Sequence, residues 1–301
     1  MKKTLSFLLA LLMLLASAAV PMQFFAKTTA VCAPEWVMAG VRRNEAKSLY
    51  VEWGLPYYDD GTVPDGYQVF RSASGKSGSY QKVKTTRQTG FTDTGLKNGT
   101  VYYYKVRGYV KRADQVFYSK FAKCSGCTKL TNKQATKLLQ HAYQVAGMWM
   151  DLAQPNCDSN KYLTKTRTVS EEDGSSYQVT NYYYLVTNQI CRTKKQLKAY
   201  LGKTFDQQQV NKFVNRVYLE EDGKLWMFGP DWGDGAGPFA DRDKVIYVSQ
   251  LYDQLTFVNI CNWGNDEDLF CDPVIHTAEL RNGKWILTDK DWFQYSHFIN
   301  F

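Results

Sequence analysis

The stretch Leu96-Lys97-Asn98-Gly99-Thr100-Val101-Tyr102-Tyr103-Tyr104-Lys105-Val106 decides the fold of the N-terminal part. It reads as a turn followed by a strand. Successive side chains of a strand point to opposite faces, so Val101, Tyr103 and Lys105 share one face and Tyr102, Tyr104 and Val106 the other. A Tyr just after a Gly turn, opening an alternating strand, is the tyrosine-corner arrangement of a β-sandwich.

Working outward, Trp36 to Val41 reads as a first strand, Leu49-Tyr50-Val51-Glu52-Trp53 as a second and Gly66-Tyr67-Gln68-Val69-Phe70-Arg71-Ser72 as a third. Ser77 to Val83, Gly90 to Asp93 and Gln115 to Tyr118 supply the rest. Short alternating strands punctuated by Gly, Asp and Asn are the all-β sandwich signal. On Trp53, the Gly66 to Ser72 strand and the Leu96 to Val106 run, residues 33–123 resemble a fibronectin type III domain. The resemblance implies a scaffold, so specific activity is expected in residues 128–301.

Met1-Lys2-Lys3, the apolar run Leu5 to Leu15 and the small residues Ala16-Ser17-Ala18 form a secretory signal peptide over residues 1–18, with cleavage as late as residue 30. The apolar run is too short to span a bilayer once cleaved, and no later stretch is apolar enough. The expected location is extracellular or cell-wall associated. Residues 31–127 hold 15 Lys and Arg against 8 Asp and Glu, whereas residues 128–301 hold 19 against 21. A basic module on an exported protein suits long-range attraction to an anionic wall polymer. The competing reading is that charges spread along the strands only keep the sandwich soluble. No basic stripe is visible, so nucleic acid is not an expected partner.

Seven cysteines are present, at 32, 124, 127, 157, 191, 261 and 271, and export permits pairing. Cys32 and Cys124 bracket the sandwich at opposite poles, which argues against a bridge between them. Cys261 ends one apolar strand and Cys271 begins the next, making them the leading disulfide candidates. Cys124-Ser125-Gly126-Cys127 has oxidoreductase spacing but sits in an expected linker, residues 124–130, without βαβ context.

Residues 131–301 read as an α+β domain with N-terminal helices and an antiparallel meander sheet. Thr131-Asn132-Lys133-Gln134 is a capping box ahead of an apolar stripe through Leu139, Ala142 and Trp149. A hairpin pairs Tyr162 to Ser170 with Ser176 to Val186. Helices follow at Thr193 to Leu201 and Thr204 to Val214, each behind a Thr-x-x-Gln box. Arg216 to Leu219 and Lys224 to Phe228 form a second hairpin, and strands are expected over Lys244 to Ser249, Leu255 to Ile260, Pro273 to Leu280 and Lys284 to Thr288.

Neither a metal spacing around His141, His276 or His297, nor Gly-x-Ser-x-Gly, nor a phosphate loop occurs. No catalytic residue, metal or cofactor is expected. Weaker catalytic readings pair Cys191 with His276 as nucleophile and base, or draw two carboxylates from Asp231, Asp234, Asp241 and Asp243. Asp231-Trp232-Gly233-Asp234-Gly235-Ala236-Gly237-Pro238-Phe239-Ala240-Asp241 is a long connection of a kind usually functional or disordered. Its aspartate spacing does not match an EF-hand. An acidic loop with an aromatic anchor fits protein docking best.

The segments Ala142-Tyr143, Trp149-Met150, Leu197 to Phe205, Gly223-Lys224-Leu225-Trp226, the Gly-Asp-Gly loop and Asn282 to Leu287 resemble the secreted DL-endopeptidase inhibitor (IseA-like) family. The resemblance implies a non-enzymatic protein that blocks a peptidoglycan-cleaving cysteine peptidase of the NlpC/P60 type. Asp231, Trp232, Gly233, Asp234, Gly235, Gly237 and Asp241 would form the projecting contact loop. The alternative is a wall-glycan or small-ligand binding module of nuclear-transport-factor-like fold, with a pocket lined by Trp149, Trp226, Trp263 and Trp285.

Overall fold

Strands β1 (Val37–Gly40), β2 (Leu49–Trp53) and β5 (Gly90–Asp93) form one antiparallel sheet. Against it stands a second sheet of β4 (Gln81–Thr86), β3 (Gly66–Ser72), β6 (Val101–Arg112) and β7 (Gln115–Tyr118), with β8 (Ala122–Cys127) also paired to β6. The computed structural model describes residues 30–54, 63–150, 157–171, 173–229, 243–264, 269–289 and 292–293. Strand β6 alternates as its sequence demands, with Tyr102, Tyr104 and Val106 buried and Tyr103, Lys105 and Arg107 half-buried on the outside. Trp53 and Tyr67 pack edge to face at 5.3 Å in the core. The Tyr102 hydroxyl accepts the Lys97 amide at 3.2 Å, closing the tyrosine corner. Tyr104 donates to Asp93 at 2.8 Å, and Arg71 meets the same carboxylate at 2.9 and 3.0 Å. Burial, with the Asp93 charge beside it, pushes the Tyr104 hydroxyl far above the ordinary phenol range, so it remains a donor.

The expected linker 124–130 is a correction. Cys124 to Cys127 belong to β8 and pair with Val101 to Tyr104. Gly126 is required there because a Cβ would fall 2.3 Å from the Ala39 carbonyl oxygen of β1. Strand geometry also removes the oxidoreductase reading. Residues three apart in a strand face opposite sides and lie about 10 Å apart, beyond disulfide reach. Burial pushes the thiols up to about 12 at Cys124 and about 11 at Cys127, so neither is a ready thiolate.

Helix α1 (Asn132–Met150) follows. Its capping box is closed in both directions, Gln134 N donating to Thr131 Oγ1 at 3.3 Å and Thr131 N to Gln134 Oε1 at 3.0 Å. Strands β9 (Cys157–Ser170), β10 (Ser176–Val186), β11 (Tyr218–Glu221) and β12 (Lys224–Phe228) form a sheet in the order β11-β12-β10-β9. Strands β13 (Lys244–Leu251), β14 (Gln254–Gly264), β15 (Leu269–Arg281) and β16 (Lys284–Leu287) form a second, a simple meander. Helices α2 (Lys194–Leu201) and α3 (Gln207–Val217) stand between β10 and β11 rather than ahead of all the strands. Leu139 and Trp149 of α1, Leu197 of α2, Val214 of α3 and Phe257 of β14 meet in one core. Among the described residues, no helix is long and apolar enough to cross a membrane.

The α3 cap is also a correction. Thr193 caps α2 as expected, but α3 is capped by Asp206, whose carboxylate accepts from Gln208 N and Gln209 N. The amides of Thr204 and Phe205 still bond to the Leu201 carbonyl, and Asp206 N donates to Leu287 O at 2.8 Å. These residues are engaged in ending α2 and joining β16, so the helix starts later.

The β13–β14 turn joins the second part to the sandwich. Tyr252 N donates to Val41 O at 2.8 Å and Tyr252 Oη to Glu52 at 2.7 Å. Buried Gln250 accepts from Leu130 N at 3.1 Å and donates to Cys127 O at 2.7 Å. Gly40 makes the approach feasible, since a Cβ there would sit 2.3 Å from Tyr252 Cα.

Candidate functional site

The connection that carries Asp231, Trp232, Gly233, Asp234, Gly235, Gly237 and Asp241 lies outside the described residues, but both its roots are described. On one side Gly229 N donates to Tyr182 O at 2.9 Å. On the other, Asp243 is fully buried. Its Oδ2 accepts from Tyr143 Oη of α1 at 3.1 Å and from Asn259 Nδ2 of β14 at 3.0 Å. Just beyond, Val245 N donates to Thr136 Oγ1 at 3.0 Å and Asn132 Nδ2 to Ile246 O at 2.9 Å. Helix α1 and strand β14 together grip the returning chain.

The grip continues inward. Asn259 Oδ1 lies 2.9 Å from His276 Nε2, and His276 Nδ1 lies 2.6 Å from Asp289 Oδ2. Asp289 Oδ1 accepts from the Thr277 amide and, at 2.9 Å, from its hydroxyl. Phe257 stacks on the His276 ring at 5.1 Å, and Trp292 lies 5.3 Å from it. Asn259 gives its amide N–H to Asp243, so its oxygen faces the imidazole, and each ring nitrogen lies against an oxygen atom. The Tyr143–Asp243–Asn259–His276–Asp289 chain is thus a run of linked donors and acceptors that positions strand ends.

This chain takes His276 out of the Cys191 pairing and Asp243 out of the carboxylate pairing, whose other members Asp231, Asp234 and Asp241 lie outside the described residues. His276 has no nitrogen left for Cys191, whose thiol is buried and pushed up by that burial despite the nearby Lys203 charge. Asp243 is a buried acceptor rather than a solvent carboxylate beside a substrate. The tryptophan pocket is corrected as well. Trp149 is 1% exposed and packed edge-on by Tyr200 and Tyr218 in the core, and Trp226 is buried with its indole N–H donating to Glu221 O at 3.3 Å, while the Trp263 side chain lies outside the described residues. Trp285 is half-buried against that core.

In the β14–β15 ladder Cys261 pairs with Asp272 and Asn262 with Cys271, so the two cysteines stand at adjacent register positions and are not direct cross-strand partners. Both strands also run on, to Gly264 and from Leu269, past the expected loop. Cys124, Cys127 and Cys191 are free thiols.

The sandwich cations, expected to be dispersed, converge instead. Lys82, Phe70, Lys105 and Lys123 form one row across β4, β3, β6 and β8. Sequence alternation places Tyr103, Lys105, Arg107 and Tyr109 on one face of β6. The companions from other strands need the register, which no single segment reveals.

No protein-family model matches the chain, and no curated protein matches it. Solved structures do. The fibronectin type III domain of human collagen alpha-1(XX) chain is 17% identical over 34% of this chain and 89% of its own, with a TM-score of 0.28. A Fn3-like protein from Clostridium thermocellum is 29% identical over 34% of this chain and 98% of its own, with a TM-score of 0.25. The sixth fibronectin type III domain from human fibronectin type III domain containing protein 3 is 20% identical over 34% and 92%, with a TM-score of 0.25. The likeness is to fibronectin type III-like domains and spans about a third of the chain.

Proposed function

We propose that this is an exported, non-catalytic cell-wall protein whose second part, an α+β domain resembling secreted DL-endopeptidase inhibitors, blocks a peptidoglycan-cleaving cysteine peptidase of the NlpC/P60 type. The contact element is the 231–241 segment, seated in the peptidase cleft. The observation that carries this reading is the buried root at Asp243, held by Tyr143 and Asn259. A docking segment with a fixed root has less freedom to lose on binding. Its glycines permit close backbone approach, and Trp232 is the anchor residue type. The test is peptidoglycan turnover by an NlpC/P60 peptidase with and without the purified protein. Dose-dependent slowing supports the reading. Unchanged turnover across such peptidases, or release of fragments by the protein alone, overturns it.

One observation favours a second reading, wall-glycan binding. Tyr162 and Tyr182 are exposed on the β9–β10 hairpin, with ring centroids 5.6 Å apart and Tyr184 at 6.3 Å from Tyr162. Such rings offer stacking faces to sugars. Sedimentation with insoluble peptidoglycan, lost in Tyr162→Ala/Tyr182→Ala, distinguishes this reading from the first.

A further inference from the structure

The outer face of the larger sandwich sheet carries cations braced by rings. The Arg107 guanidinium lies 3.7 Å from the Tyr118 ring centroid, and its Nε and Nη2 donate to Gln68 Oε1 at 3.1 and 2.9 Å. Lys105 Nζ stands 4.1 Å from the Tyr80 ring centroid and 4.8 Å from that of Phe121. Ring faces attract a cation without neutralising it. Lys82 and Lys123 are exposed on the same face.

Carboxylates are elsewhere. Asp93 is engaged on the inner face by Arg71 and Tyr104, and Asp65 accepts from the Lys111 amide at the strand end. Among the described residues, none of Lys82, Lys105, Arg107 and Lys123 has a carboxylate within 4.0 Å. Lys105 and Lys123 are direct cross-strand partners, an arrangement that costs stability when like charges face one another. Repulsion left without a carboxylate is relieved by an anionic ligand.

We propose that this face is a docking surface for a linear phosphodiester polymer of the cell envelope, of the polyol-phosphate kind. Lysines at neighbouring strands, about 4.8 Å apart per strand, offer point charges to successive phosphates. Arg107 keeps three of its five N–H donors for a phosphate. Tyr118, Phe121, Tyr80 and Phe70 supply apolar faces for the carbon units between phosphates. The strip is open and runs across the sheet, which suits a chain with repeating charge. It ends where the β15–β16 turn meets Tyr103, a Cβ on Gly283 falling 3.1 Å from Tyr103 Oη. The proposal goes beyond the inhibitor reading and shares with it only the expectation of export.

The test uses the full chain, soluble poly(glycerol phosphate) as probe and single-stranded DNA of equal charge as comparison, by titration calorimetry over a salt series. The expected result is tighter binding of poly(glycerol phosphate) than of DNA. Lys105→Gln/Lys123→Gln is expected to weaken binding at least about tenfold and to lower the log–log salt slope by about 1.4, with the melting temperature unchanged or raised. Arg107→Lys, which keeps the charge and loses the fork, is expected to weaken binding too. No binding by the wild type at low salt, equal or tighter binding of DNA, or wild-type binding by the folded double variant each overturns the proposal.

Discussion

The carboxylate of Asp243 accepts a hydrogen bond from the hydroxyl of Tyr143 at 3.1 Å, tying the return of the 230–242 connection to a helix 100 residues earlier in the chain. The same oxygen takes the Asn259 amide at 3.0 Å. A fully buried carboxylate gripped by Tyr143 and Asn259 has a defined place.

Removing one member of that set is costly. Asp243→Ala takes this acceptor from the half-buried Tyr143 hydroxyl and the buried Asn259 amide and is expected to lose about 3 kcal/mol in urea unfolding. Tyr143→Phe should lose only about 1 kcal/mol. If the anchored root matters for docking, Tyr143→Phe weakens peptidase inhibition while the folded fraction stays near wild type. Undiminished inhibition would detach the root from the function.

Asp206 supplies a pH-dependent increment. Burial works against its charge, but hydrogen bonds from Arg281 and from the Gln208 and Gln209 amides prevail and hold the carboxyl below the usual range. A depressed folded value means the increment is complete above the unfolded value of about 3.9 and fades as pH falls through the folded value. Asp206→Ala, which also removes the α3 cap, is expected to cost about 1 kcal/mol at neutral pH. The gap from wild type should close on acidification, read by thermal melts across pH. A gap that widens in acid would contradict the assignment.

Gly40→Ala tests the joint between the two parts. The added Cβ meets backbone, not a movable side-chain tip. Limited proteolysis is expected to cut faster near residues 128–131 in the variant, with Tyr252 fluorescence changed. Unaltered cleavage would show that the joint does not depend on this approach.

The sandwich was legible because its information is local. The alternation from Val101 to Val106 and the turn at Asn98-Gly99 specify a strand and its inner face without reference to other segments. Strand β8 was not, since Ser125-Gly126 has little strand propensity and its place is fixed by β6 and by contact with Ala39. The α3 start is not decided locally, because Thr204 and Asp206 both cap well and only the Leu201 and Leu287 contacts choose between them. The Asp243–His276 chain joins α1, β14, β15 and the segment after β16, so His276 looks solitary in sequence. The cation row is likewise a product of register, with Lys82, Lys105 and Lys123 far apart along the chain.

Peptidase inhibition by the Trp232→Ala/Asp234→Ala variant, compared with wild type at equal folded concentration, tests the central claim most directly. Trp232 is expected to contribute as an anchor and Asp234 as the charge at the loop centre. The account predicts at least about tenfold weaker inhibition, about 1.4 kcal/mol, with the melting temperature within a few degrees of wild type. Full inhibition by the correctly folded double variant would contradict it.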